Sequence, residues 1–210
     1  MFKILFDRAW QILAQNRRAY VIINVVFYGL IICLMIYAAF DQPLQVSMLK
    51  TGNDNQMTGA LSLQGKSYDA PTVIQTFISL YFSNLLGASF GVITFPSFII
   101  PFAGLLLGAE RAFEWGLLFS PANPDIRGAM ILHSLAIVIE GQAYVLAMLG
   151  VYIHGRALIW PQTVGLKSHW HAYVEGVRQT GTLYMFIMVV LAAAALYGML
   201  EYFVMAQLAP

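Results

Sequence analysis

Residues 127–159, RGAMILHSLAIVIEGQAYVLAMLGVYIHGRALI, decide the fold. Residues 129–152 of this stretch are almost all apolar, and about 20 such residues are enough for a helix to cross a bilayer. His133 and Glu140 lie within it, and ionisable groups inside a membrane normally face the protein interior or water. They are seven residues apart, two helical turns, so they share one face, whereas Gln142 points elsewhere. The stretch predicts a membrane-spanning helix with a polar face.

Composition places the whole chain in the same class. Of its 210 residues 60% are hydrophobic and only 10% are charged, against about 25% charged residues in soluble domains. The chain is therefore predicted to be an integral membrane protein with the lipid bilayer as a partner. The net charge of +1, without a basic block, predicts no nucleic-acid partner. A single cysteine, Cys33, excludes an intramolecular disulfide.

The first third of the chain divides into three segments. Residues 1–18 mix apolar and basic side chains and predict an amphipathic cytoplasmic helix on the membrane surface, with a disordered basic tail as the alternative. Residues 19–40 are continuously apolar and predict an uncleaved first span. Residues 41–71 are polar and have no helical apolar period, so they predict an extracytoplasmic loop, with a weak strand signal in residues 57–63.

Proline and glycine interrupt the next apolar region. Residues 72–95 and 97–119 predict two spans broken at Pro96, with Pro101 in the first turn of the second span. Glycines in G-x-x-x-G spacing allow two helix backbones to approach closely. The residues predicted to mediate helix packing are one asparagine and two such glycine pairs: Asn84, Gly87, Gly91, Gly104 and Gly108.

The second of these spans carries an unusual number of charges. Arg111 and Glu114 are three residues apart and can pair, whereas Glu110 and Glu114 repel each other if both are ionised. The predicted intramembrane polar cluster combines them with the polar face of the following span, as Glu110, Arg111, Glu114, His133 and Glu140. A structural network that sets helix register and a hydrated outward-facing cavity are both consistent with this pattern.

Charge distribution predicts the orientation of the spans. The mixed polar and aromatic segment after Trp160 and Pro161 predicts an interfacial cytoplasmic loop with a short in-plane helix, and residues 182–205 predict the last span. Seven Lys and Arg residues then fall inside and three outside, which favours five spans with the N-terminus in the cytoplasm and the C-terminus outside. The fold class is all-α and multipass, with about five transmembrane helices and a four-helix core in residues 72–210. Its polar groups are expected to meet in the outer half of the membrane, with Glu201 nearer the outer surface.

No motif in the chain predicts catalysis. His169, His171 and Glu175 are the nearest approach to a metal site, but two histidines two residues apart point in different directions on a helix. G-x-S-x-G, H-E-x-x-H and phosphate-binding glycine loops are absent from the sequence. We therefore expect no catalytic residue, no metal and no cofactor.

A run of residues is similar to a known family. The segment YFSNLLG at residues 81–87, the downstream prolines and glycines, and His133 and Glu140 before Gly150 resemble the stage II sporulation protein M (SpoIIM) family over residues 73–205. The resemblance implies a multipass protein of the prokaryotic cytoplasmic (inner) membrane without established catalysis of its own. Sporulation members of that family act with peptidoglycan-degrading partners during membrane migration.

Three functions follow as hypotheses. The first is a non-enzymatic scaffold or assembly subunit for another membrane protein or a second copy, with a cell-wall enzyme as the partner that the resemblance implies. The second is a transporter or channel component coupled through His133 and Glu140. The third is an accessory subunit of a larger membrane complex. A transporter needs a wet path to both sides, whereas a scaffold needs none.

The orientation can be tested by labelling the predicted outer loop. A cysteine at Asn55, in a Cys33→Ala background, is expected to react with an impermeant thiol reagent added to intact cells, because residues 41–71 are predicted to lie outside. Labelling that occurs only after lysis would reverse the predicted topology.

Overall fold

The computed structural model describes residues 2–52 and 70–208, and every regular element in those ranges is helical. This confirms the all-α prediction, while the strand signal in residues 57–63 lies outside the described residues. The elements in chain order are α1 (Phe2–Gln15), α2 (Arg17–Phe40), α3 (Gln42–Gly52), α4 (Ala70–Phe82), a π-helix (Ser83–Thr94), α5 (Phe95–Ile99), α6 (Ala103–Leu118), α7 (Pro124–Ile159), a 3-10 turn (Pro161–Val164) and α8 (His169–Leu208).

Helix α7 forms the centre of the bundle. All of residues 143–151 are buried, because neighbouring helices surround this part of α7. Helix α8 packs along it in the antiparallel direction. The Thr180 hydroxyl donates a hydrogen bond to the Gly150 carbonyl at 2.9 Å, and towards the other end the Tyr197 hydroxyl donates to the Leu132 carbonyl at 2.7 Å.

Four helical stretches within the described residues are long and apolar enough to cross a membrane. Their side chains are exposed where they face away from α7, as for Ile22 and Val25 on α2, which are 62% and 66% exposed. An apolar surface of this extent is typical of a protein that contacts lipid. The four stretches are Arg17–Phe40, Ile74–Ile99, Ile126–Ile159 and His169–Glu201.

The Pro/Gly break lies later in the chain than predicted. Helix α5 includes Pro96 and continues directly from the π-helix, whereas the backbone turns at residues 100–102. Ile100 is extended, as expected before Pro101, and Phe102 adopts a left-handed conformation with φ 66°. In an α-helix a proline ring clashes with the carbonyl four residues earlier. The wider turns of the π-helix that precedes Pro96 relieve this clash.

Helix α6 is shorter than the span predicted for residues 97–119. Its 16 residues measure about 24 Å along the axis, less than a bilayer core of about 30 Å. It nevertheless extends from one end of the bundle to near the other. At its start a Cβ on Gly155 of α7 would lie 2.6 Å from the Phe102 ring, and just after its end the Ser120 hydroxyl donates to the Met35 carbonyl of α2 at 2.8 Å.

A side chain from α3 completes the buried end of α6. Gln45 is fully buried, and its amide nitrogen donates to the carbonyls of Leu118 at 3.0 Å and Ser120 at 2.9 Å. The last carbonyls of a helix have no partner within the helix. Gln45 therefore supplies the hydrogen bonds that water would give to an exposed helix end.

Helix α3 corrects the prediction of a loop without helix for residues 41–71. It begins with a helix-capping signal, since the backbone N–H of Leu44 donates to the Asp41 carboxylate at 3.2 Å and Pro43 fits the first helical turn. The apolar period is weak here because α3 buries Gln45 and not a stripe of apolar side chains.

Helix α1 forms within the predicted amphipathic segment and packs against the last helix. The rings of Phe6 and Trp10 meet the Phe186 ring edge-on, with centroid distances of 4.8 and 6.4 Å. Asn16 joins α1 to α2, and its side-chain nitrogen donates to the Ile12 carbonyl at 2.8 Å. The N-terminal segment is thus anchored to the helical core.

Replacing Gln45 by leucine is expected to lower the free energy of unfolding in detergent by about 1–3 kcal/mol, because two buried carbonyls lose their donor. Chemical or thermal unfolding followed by circular dichroism measures the loss. The control is Gln42→Leu on the exposed side of the same helix, which should change little. Equal effects of the two substitutions would contradict the capping role of Gln45.

Candidate functional site

Polar side chains from α7 and the π-helix meet beside Glu140. Tyr144 lies one turn further along α7, is fully buried and donates its hydroxyl hydrogen bond to the Glu140 carboxylate. The Tyr144 hydroxyl oxygen also lies 3.2 Å from Oδ1 of Asn84 on the π-helix. A carboxylate, a phenol and an amide therefore share one location in the interior of the bundle.

Arg111 of α6 adds a positive charge to this location. Its Cζ lies 5.8 Å from the ring centroid of Trp115 and 5.9 Å from that of Tyr144, within the range of cation–π interactions. Its Nη1 lies 3.4 Å from the Glu114 carboxylate, and Arg111 also attracts Glu140 electrostatically. The guanidinium thus lies close to the Glu114 carboxylate and to two aromatic rings.

His133 forms a second, separate polar contact. Its Nδ1 lies 3.0 Å from Oε1 of Glu201, which is only 6% exposed, and its ring centroid lies 4.7 Å from that of Phe119. Glu201 lies near the end of α8, so this contact links α8 to α7. The pair occupies the end of the bundle at which α7 begins.

The structure therefore divides the predicted polar cluster into parts. It brings Arg111, Glu114 and Glu140 together, pairs His133 with Glu201, and leaves Glu110 exposed. Seven residues on one helix face correspond to about 10.5 Å along the axis, more than side chains of this size bridge by direct contact. For this reason the two ionisable residues on the same face of α7 have different partners.

The predicted glycine pairs also differ in their surroundings. A Cβ on Gly104 would collide with the Ile93 carbonyl, and one on Gly108 would lie 2.5 Å from the Met148 sulfur, so this pair packs inside the chain. Gly87 is exposed, and no described atom lies within 4 Å of its Cβ position. Gly91 is also exposed, and its Cβ would contact only the backbone of its own helical segment.

A polar network between α2 and α7 was not predicted. The Gln142 amide oxygen accepts from the Tyr20 hydroxyl at 2.7 Å, and its nitrogen donates to Asn24 Oδ1 at 2.8 Å and to the Tyr28 oxygen at 3.0 Å. Tyr28 in turn donates to the Val138 carbonyl at 2.8 Å. The sequence signal was present, because the three α2 residues recur every four positions along an otherwise apolar helix.

The histidines near the start of α8 have other partners. Nδ1 of His169 lies 2.7 Å from the Leu158 carbonyl, and the Glu175 carboxylate accepts from Arg178 Nε at 2.8 Å. Within residues 2–52 and 70–208, no three His, Cys, Asp or Glu side chains are grouped closely enough to hold a metal ion.

No protein-family model, no curated protein and no solved structure matches the chain. The resemblance to the SpoIIM family therefore stays a prediction. Chemically, the Glu140 cluster contains a carboxylate, a phenol that donates to it and a guanidinium close to the phenol ring. Such an arrangement can stabilise a carboxylate within a helical bundle.

The electrostatic attraction between Arg111 and Glu140 predicts energetic coupling. Arg111→Ala and Glu140→Gln should each destabilise the protein in detergent, and the double variant should differ from the sum by at least about 0.5 kcal/mol, because each substitution removes a partner of the other residue. Thermal or chemical unfolding of the four proteins measures the coupling. Glu110→Gln combined with Glu140→Gln is the control and should be additive. Additive losses for the Arg111 pair would mean that the two residues do not interact.

Proposed function

We propose that this chain is a non-enzymatic integral membrane protein that acts as a scaffold or assembly subunit for a membrane-bound partner. The observation that carries the proposal is the closed interior of the bundle. Residues 145–151 of α7 are buried and apolar, and they follow directly after Tyr144 towards the end where α7 terminates. A water-filled pathway that leads from the Glu140 cluster along α7 would have to pass this apolar segment.

The outer surface supports a role in association. Gly87 on the π-helix and Gly29 on α2 have no described atom within 4 Å of their Cβ positions. Large exposed side chains adjoin both glycines, including Leu86, Phe90 and Val25, with exposures of 56%, 39% and 66%. Small residues bordered by large ones allow close approach of another transmembrane helix.

The proposed partner class follows from the resemblance to SpoIIM. A peptidoglycan-degrading enzyme of the cytoplasmic membrane or cell wall is the partner that this resemblance implies, and the proposed orientation has the N-terminus in the cytoplasm. An accessory subunit of a larger membrane complex is a variant of the same proposal, in which the partner carries all the chemistry.

A transporter is the second candidate. It is favoured by the presence of Glu140 and Arg111 inside the bundle, because ionisable side chains within membrane spans often belong to ion or proton pathways. The π-helix beside the cluster adds support, since π-helical turns are frequent at functional sites. In this case Glu140 would be the coupling group, and the apolar segment of α7 would have to open during transport.

Purification in a mild detergent, followed by mass spectrometry of co-purifying proteins, tests the scaffold. A partner in fixed stoichiometry is expected with the wild type, and Gly87→Leu should release it because the bulky side chain fills the proposed contact surface. Glu140→Gln is the matched control inside the bundle and should keep the partner.

A flux assay tests the transporter candidate. Proteoliposomes that contain the purified chain alone are expected to show no proton or ion flux above empty liposomes. Flux that disappears with Glu140→Gln, together with the absence of a stoichiometric partner, would overturn the scaffold proposal in favour of transport.

A further inference from the structure

Arg156 in the last turn of α7 holds a charge that no described carboxylate balances. Its Nη2 donates to Oδ1 of Asn16 at 3.0 Å, and its Cζ lies 5.4 Å from the Tyr152 ring centroid. Its Nε is buried and has no hydrogen-bond partner among residues 2–52 and 70–208. Arg156 also forms no ion pair within those ranges, so no protein carboxylate there neutralises the guanidinium.

Two other arginines of the chain have carboxylate partners. Arg178 makes a two-point ion pair with Glu175, at 2.8 and 2.9 Å, and Arg111 lies 3.4 Å from Glu114. A half-buried guanidinium without an anion is unfavourable, because burial removes hydration that nothing replaces. The negative end of the α7 dipole offsets only part of this cost. The Arg156 position is therefore complementary to an anion.

The neighbouring residues increase the positive charge. Asn16 joins α1 to α2, and the next two residues, Arg17 and Arg18, are both exposed. Residues 2–18 carry four basic side chains and one acidic side chain, Asp7. Arg156 and the start of α2 thus form a basic corner, defined here as Asn16, Arg17, Arg18 and Arg156.

The basic corner also borders apolar surface. Immediately after Arg18 the chain continues into the apolar part of α2, on which Val21 is 48% exposed, and on α1 the Trp10 side chain is 61% exposed. Charged groups adjacent to exposed aliphatic and aromatic side chains are typical of the boundary between membrane headgroups and acyl chains. The level of the corner therefore matches that of lipid phosphates.

We propose that the basic corner binds the headgroup of an anionic phospholipid. The phosphate accepts hydrogen bonds from the Nη atoms of Arg156, since the planar guanidinium fork matches phosphate oxygens. Arg17 and Arg18 add attraction for a net negative headgroup. A free phosphate ion shares this chemistry but lacks acyl chains to lie against the apolar surface of α1 and α2. The inference is independent of the scaffold proposal.

The test is a thermal-shift titration of the delipidated full chain in detergent. The probes are phosphatidylglycerol, phosphatidylcholine and inorganic phosphate, with native mass spectrometry to count bound lipids. Phosphatidylglycerol should stabilise the wild type and remain bound, while the other two probes should have little effect. Arg156→Gln should weaken phosphatidylglycerol binding about tenfold, which is the loss expected for one charge-assisted contact.

A control variant and a second test variant complete the experiment. Arg127→Gln, on an exposed arginine at the opposite end of α7, is the matched control and should bind phosphatidylglycerol like the wild type. If Arg156→Gln does not fold, the double variant Arg17→Gln/Arg18→Gln decides the outcome, because both side chains are exposed. Unchanged phosphatidylglycerol binding in that double variant or in folded Arg156→Gln would overturn the proposal. An equal response to phosphatidylcholine, or the same stabilisation by inorganic phosphate alone, would also overturn it.

Discussion

A polar atom inside an apolar helical bundle costs several kcal/mol unless another protein group bonds it, and this constraint shapes the structure around α7. Glu140 and Gln142 enter the interior on the same helix but point in different directions. Glu140 is bonded by Tyr144 and attracted by Arg111, while Gln142 is bonded by residues of α2, including Tyr20. Glu140 and Gln142 therefore each specify which neighbouring helix lies on their side, and these contacts help to fix the rotation of α7 in the bundle.

The backbone of α6 also needs hydrogen-bond partners inside the bundle. This helix is too short to reach both membrane surfaces with its own residues, so its ends require partners from elsewhere. At the start the Gly104 N–H donates to the Ser97 hydroxyl at 2.7 Å, and at the other end Gln45 donates to the Leu118 carbonyl. A helix of 16 residues is thereby accommodated, and the close approach at Gly104 brings α6 against α5 and the π-helix.

Where other protein groups already bond the buried polar side chains, few hydrogen-bonding groups remain for a ligand. The clusters around Glu140 and Gln142 use their groups on one another, and the adjoining part of α7 is apolar. The interactions proposed for this chain consequently lie at its periphery. Open glycines such as Gly87 suit a helix of a partner protein, and the incompletely bonded Arg156 suits an anionic headgroup.

The sequence by itself determined the class of protein and most helices, because the length and hydropathy of a segment are local properties. It also predicted one polar cluster in the outer half of the membrane, made of Glu110, Arg111, Glu114, His133 and Glu140, from which the structure separates Glu110 and His133. Only the tertiary structure decided which side chains bond. His133 meets Glu201, 68 residues away, and Gln45 meets Leu118, 73 residues away. Such partners depend on the rotation and relative height of packed helices, which the period of one segment does not encode.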